Sequence, residues 1–513
     1  MSTAGRSKMF QVLIHCGVRE QSVSAVPGET FLSLLRRTGF TVSAPCGGQG
    51  RCGKCRLILQ EGGKARVILA CGTYIDGDCT VILEQQQGGT IVSKAESELI
   101  HVCRRSGLGA ALDLGTTTMV LELFDLSTGN SMGIAAAWSA LAPYGADVIT
   151  RCHYCMTHED GTGFLSGVLR EQTASLLRSL GQDAEQISEL FVAGNTVMQH
   201  LYAGIDPSPI SLAPFTPPTL FDSVSHEPGI DYAPCVAGYV GGDITAGLLA
   251  SSLSGLPGRH LFLDIGTNGE MALGGKEGFH CCAVASGPAF EGAGISCGMP
   301  GLPGAVSGVN WTGDSPEYNV IGGGPAKGLC GSGLIDLLAV LCEKRIISGS
   351  GLLLGPEEAP ETASRFLGED ENGNGVFYLT EDRRVFLTAS DVRQLQLAKA
   401  AVAAGIQVLL KKSGLLPLDV DSLSLAGGFG SYLNVESAIK IGMLPSVFAD
   451  RTRVLGNASL AGARIALLDP AARTKLLDLK SACRYIELSG DADFNREYTD
   501  QLYFYEEEDD EWN

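Results

Sequence analysis

Four cysteines are spaced as ligands of a metal cluster. Cys46, Cys52 and Cys55 share one loop, Pro45-Cys46-Gly-Gly-Gln-Gly-Arg-Cys52-Gly-Lys-Cys55, and Cys71 follows after fifteen intervening residues. Four thiolates are what a [2Fe–2S] cluster needs, two for each iron. The glycines suit that task, because a loop wrapped around two bridged irons needs positive-φ positions and backbone N–H groups aimed at sulfur. A structural zinc site or ordinary buried thiols would use the same residue type. Zinc ribbons usually pair one C-x2-C with another; here three ligands come from one loop, which favours iron–sulfur.

A second chemistry is written in two short repeats. Asp113-Leu-Gly115-Thr116-Thr117-Thr118 and Asp264-Ile-Gly266-Thr267-Asn268-Gly269 each follow an apolar run. The glycine lets backbone N–H groups approach a phosphate, and the hydroxyls can donate to its oxygens. Each aspartate can hold Mg²⁺, through water, because Mg²⁺ dehydrates reluctantly. Alone, either string is an ordinary turn. As a pair, with a later Gly427-Gly428-Phe-Gly430 turn, they read as an ATP site clamped from two sides.

These residues need elements to carry them. Residues 10–84 read as a β-rich unit: strands FQVLIHC and SVSAV, a short amphipathic helix over 29–38, strands at 56–60 and 80–84. Residues 86–110 read as a connector. As free coil its 25 residues would span roughly 25–30 Å, enough to let the first unit swing. From Ala111 the pattern alternates strand, glycine turn and helix, an α/β signature. The 151 residues between Asp113 and Asp264 suggest a duplicated domain, with lobes of roughly 111–255 and 256–490 inside a domain reaching 505. LSLAGGFGSYLN (423–434) follows a short strand and opens a helix. A long amphipathic helix is predicted over 390–412, and residues 506–513 form an acidic tail.

Composition limits the partners. The chain has 513 residues, 37 Lys+Arg against 57 Asp+Glu and a net charge of −20. Nucleic acid and anionic membranes would repel it. With 45% hydrophobic and 18% charged residues it can bury several cores. No secretory h-region opens the sequence and no apolar run reaches membrane length, so a cytoplasmic location is expected. The other twelve of the 16 cysteines then read as reduced thiols. Cys152-His-Tyr-Cys155 reads as two helix-borne thiols rather than a second metal site. Cys281 and Cys282, if on a strand, point to opposite faces.

The cysteine loop resembles the plant- and adrenodoxin-type ferredoxins, whose fold is a β-grasp, over about residues 9–85. The paired phosphate loops resemble the ASKHA superfamily of acetate and sugar kinases, Hsp70 and actin, which implies a duplicated ribonuclease-H-like ATPase domain. In that comparison Gly427–Gly430 is the adenosine loop, while 193–196 and 456–459 are connecting segments, the latter before the last helix. More specific strings resemble the reductive activators of corrinoid proteins: GADVITR (145–151), VAGNTVMQHLYAG (192–204), AGYVGGDITAG (237–247), GPAFEGAGISCGMPGLPGAV (287–306), GLCGSGLIDLL (328–338) and the closing 484–504. Longer activators carry a middle domain between ferredoxin and ATPase, for which 86–110 leave no room. Other relatives place a [4Fe–4S] cluster at the C-terminus, but no cysteine follows Cys483 here.

The resemblance implies ATP-dependent, one-electron reduction of a corrinoid protein of a methyltransferase system, Co(II) to Co(I). A low-potential electron donor would feed the [2Fe–2S] cluster, and relatives suggest a homodimer. Because no nucleotide residue falls in the first unit, ATP is expected to act on the docked partner and not on the cluster. The alternative is a redox-regulated small-molecule kinase. Asp243 would be its base, although the same carboxylate suits a helix N-cap.

Overall fold

A computed structural model describes residues 9–16, 19–38, 40, 42, 44, 48, 50, 55–61, 64–83, 101–222, 225–371 and 373–504. The first unit is a five-stranded mixed sheet. Its strands are β1 (Phe10–Cys16), β2 (Arg19–Ala25), β3 (Arg56–Glu61), β4 (Lys64–Leu69) and β5 (Cys79–Leu83), in the order β2-β1-β5-β3-β4, with β1 and β5 parallel. Helix α1 (Phe31–Arg37) starts at the Thr30 cap and buries Phe31, Leu32, Leu34 and Leu35 in a core with Val12, Ile14, Leu57, Leu59 and Val81. Strand β4 is absent from the sequence reading. Its pattern is nearly all exposed, so it lacks the period-2 burial that marks a strand.

The first lobe is built on β6 (Leu108–Leu114), β7 (Thr118–Asp125), β8 (Asn130–Trp138), β9 (Ile187–Gly194), β10 (Ser225–Glu227) and β11 (Ile230–Tyr232), in the order β10-β11-β9-β6-β7-β8. β6 pairs in parallel with β9 and β9 with β11, while β6-β7-β8 is an antiparallel meander. Its helices are α2 (Val148–Thr157), α3 (Gly161–Ser179), α4 (Thr196–Ala203) and α5 (Gly242–Ser251).

The second lobe repeats that wiring. β12 (His260–Ile265), β13 (Gly269–Gly275) and β14 (Gly278–Val284) form the meander. Two small three-stranded sheets, β15–β17 (Ala305–Thr312, Ser315–Val320, Gly328–Leu329) and β18–β20 (Leu367–Glu369, Gly375–Tyr378, Phe386–Thr388), are inserted after it. Between and after them come α6 (Gly331–Glu343), α7 (Glu361–Ser364) and α8 (Ala389–Lys412). Then β21 (Ser422–Ala426), α9 (Val435–Lys440) and β22 (Thr452–Gly456) follow, with both strands parallel to β12. The order β22-β21-β12-β13-β14 matches β11-β9-β6-β7-β8, so two copies of one ribonuclease-H-like sheet face each other. This is the ASKHA-type α/β architecture.

Helices α10 (Ala458–Leu468) and α11 (Pro470–Ala482), strand β23 (Cys483–Tyr485) and α12 (Ala492–Asp500) close the chain. The connecting segment at 456–459 therefore does not precede the last helix. α10 leaves the second sheet and packs on the first, where Leu460, Ala463 and Leu467 join Ala111, Phe191 and Ala246 in one apolar cluster. The two lobes are thus interleaved. Gly462 enforces the crossing, since a Cβ there would lie 2.0 Å from the Ala246 carbonyl.

The connector is shorter than the sequence suggested. β6 begins at Leu108, and the segment before it is fastened to the first lobe. The Cys103 N–H donates to the Leu468 carbonyl (3.0 Å) and Arg105 pairs with Glu189 (2.6 Å). Residues 86–100 and the acidic tail lie outside the described residues. Cys152 and Cys155 are both on α2, buried and half-buried. Cys281 and Cys282 lie on β14 and enter different apolar clusters, as opposite faces require.

Candidate nucleotide and cluster sites

Asp113 and Asp264 occupy the same place in the two sheets. Each is the penultimate residue of a central strand, beside Ala193 of β9 and Ala426 of β21 respectively, and both those strands run into glycine turns. Parallel neighbours that end together leave a crevice at their carboxyl ends. The two crevices merge into a cavity of about 850 Å³ lined by Asp113, Gly115, Thr116, Thr117, Thr118, Asp264, Gly266, Thr267, Asn268, Gly427 and Gly428. Gly430, the last glycine of the expected adenosine loop, is buried at the start of a short 3₁₀ turn. The helix expected directly after that loop begins later, at Val435.

The cleft geometry explains its small residues. Gly427 has φ +87°, and a Cβ there would lie 2.3 Å from Asp264 Oδ1 and 2.8 Å from the Ile265 carbonyl. A Cβ at Gly115 would lie 2.8 Å from the Thr118 carbonyl. Two asparagines brace the first loop while capping helices. Asn457 caps α10 and donates Nδ2 to Asp113 Oδ2 (2.8 Å). Asn195 caps α4 and donates Nδ2 to Thr116 Oγ1 (2.9 Å). Beneath the loop the Arg151 guanidinium, 1% exposed, donates to the Thr116 carbonyl (2.7 Å) and the Gly145 carbonyl (3.1 Å). Burial lowers its pKa to about 10.

The floor of the cleft is strongly acidic. Burial, with Asp113 adding repulsion, pushes the Asp264 carboxyl up to about 7. Burial also raises Asp113, against the hydrogen bond from Asn457. Three further carboxylates line the cavity: Asp243, Glu270 and Glu291. Asp243 lies in the first turn of α5 and is raised by burial and by Asp264 and Asp113. It is not the N-cap, which is Gly241. Glu270 stands opposite Asp264 in the β12–β13 pairing. Val120 holds the equivalent place in the first lobe, so the duplication breaks where a second acid is added. Glu270 Oε1 is buried with no hydrogen-bond partner, and burial together with Asp243 raises its pKa. Such a floor attracts cations and disfavours a bare triphosphate. Among the described residues no group of three or more His, Cys, Asp or Glu side chains is arranged to hold a metal ion directly. The chemistry of Asp113 and Asp264 therefore fits Mg²⁺ held through water.

The sequence reading did not single out Glu291, Arg151 or Glu270. Glu291 and Arg151 lie inside strings noted only for their resemblance. Glu270 was detectable as the one charge in the otherwise apolar strand β13.

Of the four cysteines, Cys46 and Cys52 lie outside the described residues. Cys55 is buried at the start of β3, and its sulfur is 3.3 Å from that of Cys71; the Cys71 N–H points at Cys55 Sγ (3.5 Å). Gly48 has φ +95°, and a Cβ there would meet Leu32 Cδ2 at 2.8 Å and lie 3.8 Å from Cys71 Cβ. Two thiols brought together beside Gly48, where a side chain has no room, fit the ligand set of an iron–sulfur cluster.

The two sites are not independent. Val42 and Ala44, which lead into the cysteine loop, line the nucleotide cavity near Trp138, Ala142 and Pro143. The Arg36 guanidinium lies over the Tyr144 ring, 5.4 Å from its centroid. None of the expected nucleotide-binding residues falls in the first unit, yet the segment that leads into the cysteine loop also borders the cavity.

Comparison with known proteins places this arrangement. A family model described as the C-terminal domain of RACo, the ASKHA domain, matches residues 259–513, and one described as the RACo middle region matches 108–255. The model described as the middle region thus falls on the first lobe, and residues 86–107 lie outside both matches. The chain is 26% identical over 562 aligned positions to the corrinoid activation enzyme RamQ of Eubacterium limosum, covering 90% of this chain and 93% of that one. It is 24% identical to a [Co(II) methylated amine-specific corrinoid protein] reductase of Methanosarcina barkeri, covering 77% of each. A solved structure of a reductive activator for corrinoid, iron–sulfur protein is similar with TM-score 0.71 at 29% identity, covering 96% of this chain and 98% of that one.

Proposed function

The chain belongs to the RACo-type reductive activators of corrinoid proteins, and from that premise we propose that it uses ATP to drive one-electron reduction of a corrinoid protein from Co(II) to Co(I). The observation that carries the reading is one cleft in which two phosphate loops and two aspartates converge, bordered by the segment that leads into the cysteine loop. This is an enzymatic role, with ATP as co-substrate and a corrinoid protein of a methyltransferase system as partner. A low-potential donor would supply the electron.

Cys46, Cys52, Cys55 and Cys71 are the proposed ligands that would hold the cluster, and the adjoining sulfurs of Cys55 and Cys71 support the assignment. Bound there, a [2Fe–2S] cluster stores one electron near −400 mV, the range of plant-type ferredoxins. On the nucleotide side Asp113 and Asp264 hold Mg²⁺ through water from opposite lobes. Thr116, Thr117, Thr118, Thr267 and Asn268 orient the phosphates, the backbone at Gly115 and Gly266 lets them approach, and Gly427, Gly428 and Gly430 border the nucleoside.

If the cobalt couple lies about 200 mV lower, one electron must climb roughly 4–5 kcal/mol. Lobe closure on ATP can supply that as differential grip on the partner in its Co(I) form. Hydrolysis then resets the lobes. The test is the visible spectrum of a Co(II) corrinoid protein mixed anaerobically with this chain, reductant and ATP. Conversion to Co(I) that depends on ATP is expected. Equal conversion without ATP, or phosphorylation of a small molecule instead, would refute the reading.

A further inference from the structure

One carboxylate in the cleft joins the two lobes. Glu291 ends a short turn, Pro288–Glu291, that follows β14. Thr117, from the first lobe, donates its hydroxyl to Glu291 Oε2 (3.0 Å). Thr267, from the second, lies 3.2 Å from Oε2 and 3.3 Å from Oε1. The two hydroxyls are themselves 3.3 Å apart. Hydroxyls from both phosphate loops therefore meet on one anion. That is the arrangement a terminal phosphate would require, with a carboxylate in its place.

We propose that Glu291 is the general base of ATP hydrolysis, released for that role when the terminal phosphate takes over the Thr117 and Thr267 hydroxyls. The inference rests on the ATP-hydrolysing reading above and names the residue that completes it. Thr117 and Thr267 cannot serve a phosphate oxygen and Glu291 fully at once. As they turn to the phosphate, the carboxylate is left beside it with an accepting oxygen free for a water. The water oxygen then bonds to the γ-phosphorus while the bond from that phosphorus to the β,γ-bridging oxygen breaks. The electron pair of that bond leaves with ADP, the water's proton passes to Glu291, and inorganic phosphate is formed. The proton returns to solvent when the lobes open.

The other acids are placed for different work. Asp113 is held by Asn457, Asp264 adjoins the glycine turn at 427, and Glu270 and Asp243 are not bonded to either threonine. The cation near Glu291 is Arg151, whose donors go to the Thr116 and Gly145 carbonyls and to Met198 Sδ. Arg151 therefore tempers the charge of Glu291 without clamping it. Burial raises the proton affinity of Glu291, opposed by Thr117, Thr267 and Arg151, the direction that favours a general base.

The experiment compares full-length wild type, E291Q and E291D, made anaerobically with cluster intact. E291Q should bind a non-hydrolysable ATP analogue within about threefold of wild type. It should lose about 10²–10⁴-fold in kcat, the usual worth of a general base. Glutamine can still accept from both threonines, so a purely structural bridge would be rescued. An E291Q rate within tenfold of wild type overturns the proposal. If E291Q does not fold, E291D decides: the retracted carboxylate should cost at least tenfold, and a wild-type rate overturns the proposal. A wild-type chain that hydrolyses no ATP would sink the proposed function itself and this inference with it.

Discussion

Asp264 should hold the protein back from its greatest stability in order to bind metal. Its carboxyl is raised from 3.8 to about 7 by burial, with Asp113 adding repulsion. In the unfolded chain the same group titrates near 3.9. The folded state therefore binds the proton more tightly, and its contribution is fully present below pH 4 and lost as pH rises through 7. Three units correspond to about 4 kcal/mol. Part of the side chain faces the cleft, so about 2 kcal/mol is the working figure. Asp264→Asn removes that charge and relieves Asp113, Asp243 and Glu270, which all face the same floor. Without nucleotide or added metal at pH 8, D264N should melt about 2–4 °C above wild type, and the difference should shrink at pH 5. Mg²⁺–ATP should stabilise wild type far more than D264N, and ATP turnover of the variant should fall by orders of magnitude. The assay is thermal unfolding at both pH values, with and without Mg²⁺–ATP, beside a phosphate-release rate. A variant that melts below wild type at pH 8 with the same pH slope would refute the electrostatic account. Near-normal turnover would remove Asp264 from the metal site.

Two further outcomes are expected. Cys55→Ser or Cys71→Ser should bleach the visible spectrum, and wild type should carry about two irons and two sulfides per chain; stoichiometric zinc without absorbance would exclude the cluster. Because Val42 and Ala44 line the nucleotide cavity and Arg36 lies over Tyr144, a non-hydrolysable ATP analogue should shift the redox titration of the cluster in the absence of the corrinoid partner, and Tyr144→Ala should diminish the shift. Coincident titrations in wild type would mean that ATP acts on the partner alone.

Chemistry that depends on a few consecutive residues was legible from the amino-acid sequence. The glycine-rich cysteine loop, the two Asp-x-Gly-Thr turns after apolar strands and the 151-residue offset between them are local signals. Backbone approach, hydroxyl donors and thiolate number are decided by residue type and short spacing. The long helix over 389–412 was equally clear from its apolar periodicity. The edge strand β4 was not, because its burial is set by a neighbour it does not announce. Neither was the return of α10 to the first sheet, since its apolar face could cover either copy of the same fold; close approach at Gly462 and Asn457 chooses the copy. Glu291 bonds to residues 174 and 24 positions away, and Val42 reaches a cavity built mainly by residues beyond 113. Those contacts exist only once two lobes and the small sheet are packed together, so tertiary structure alone decides which carboxylate meets which threonine.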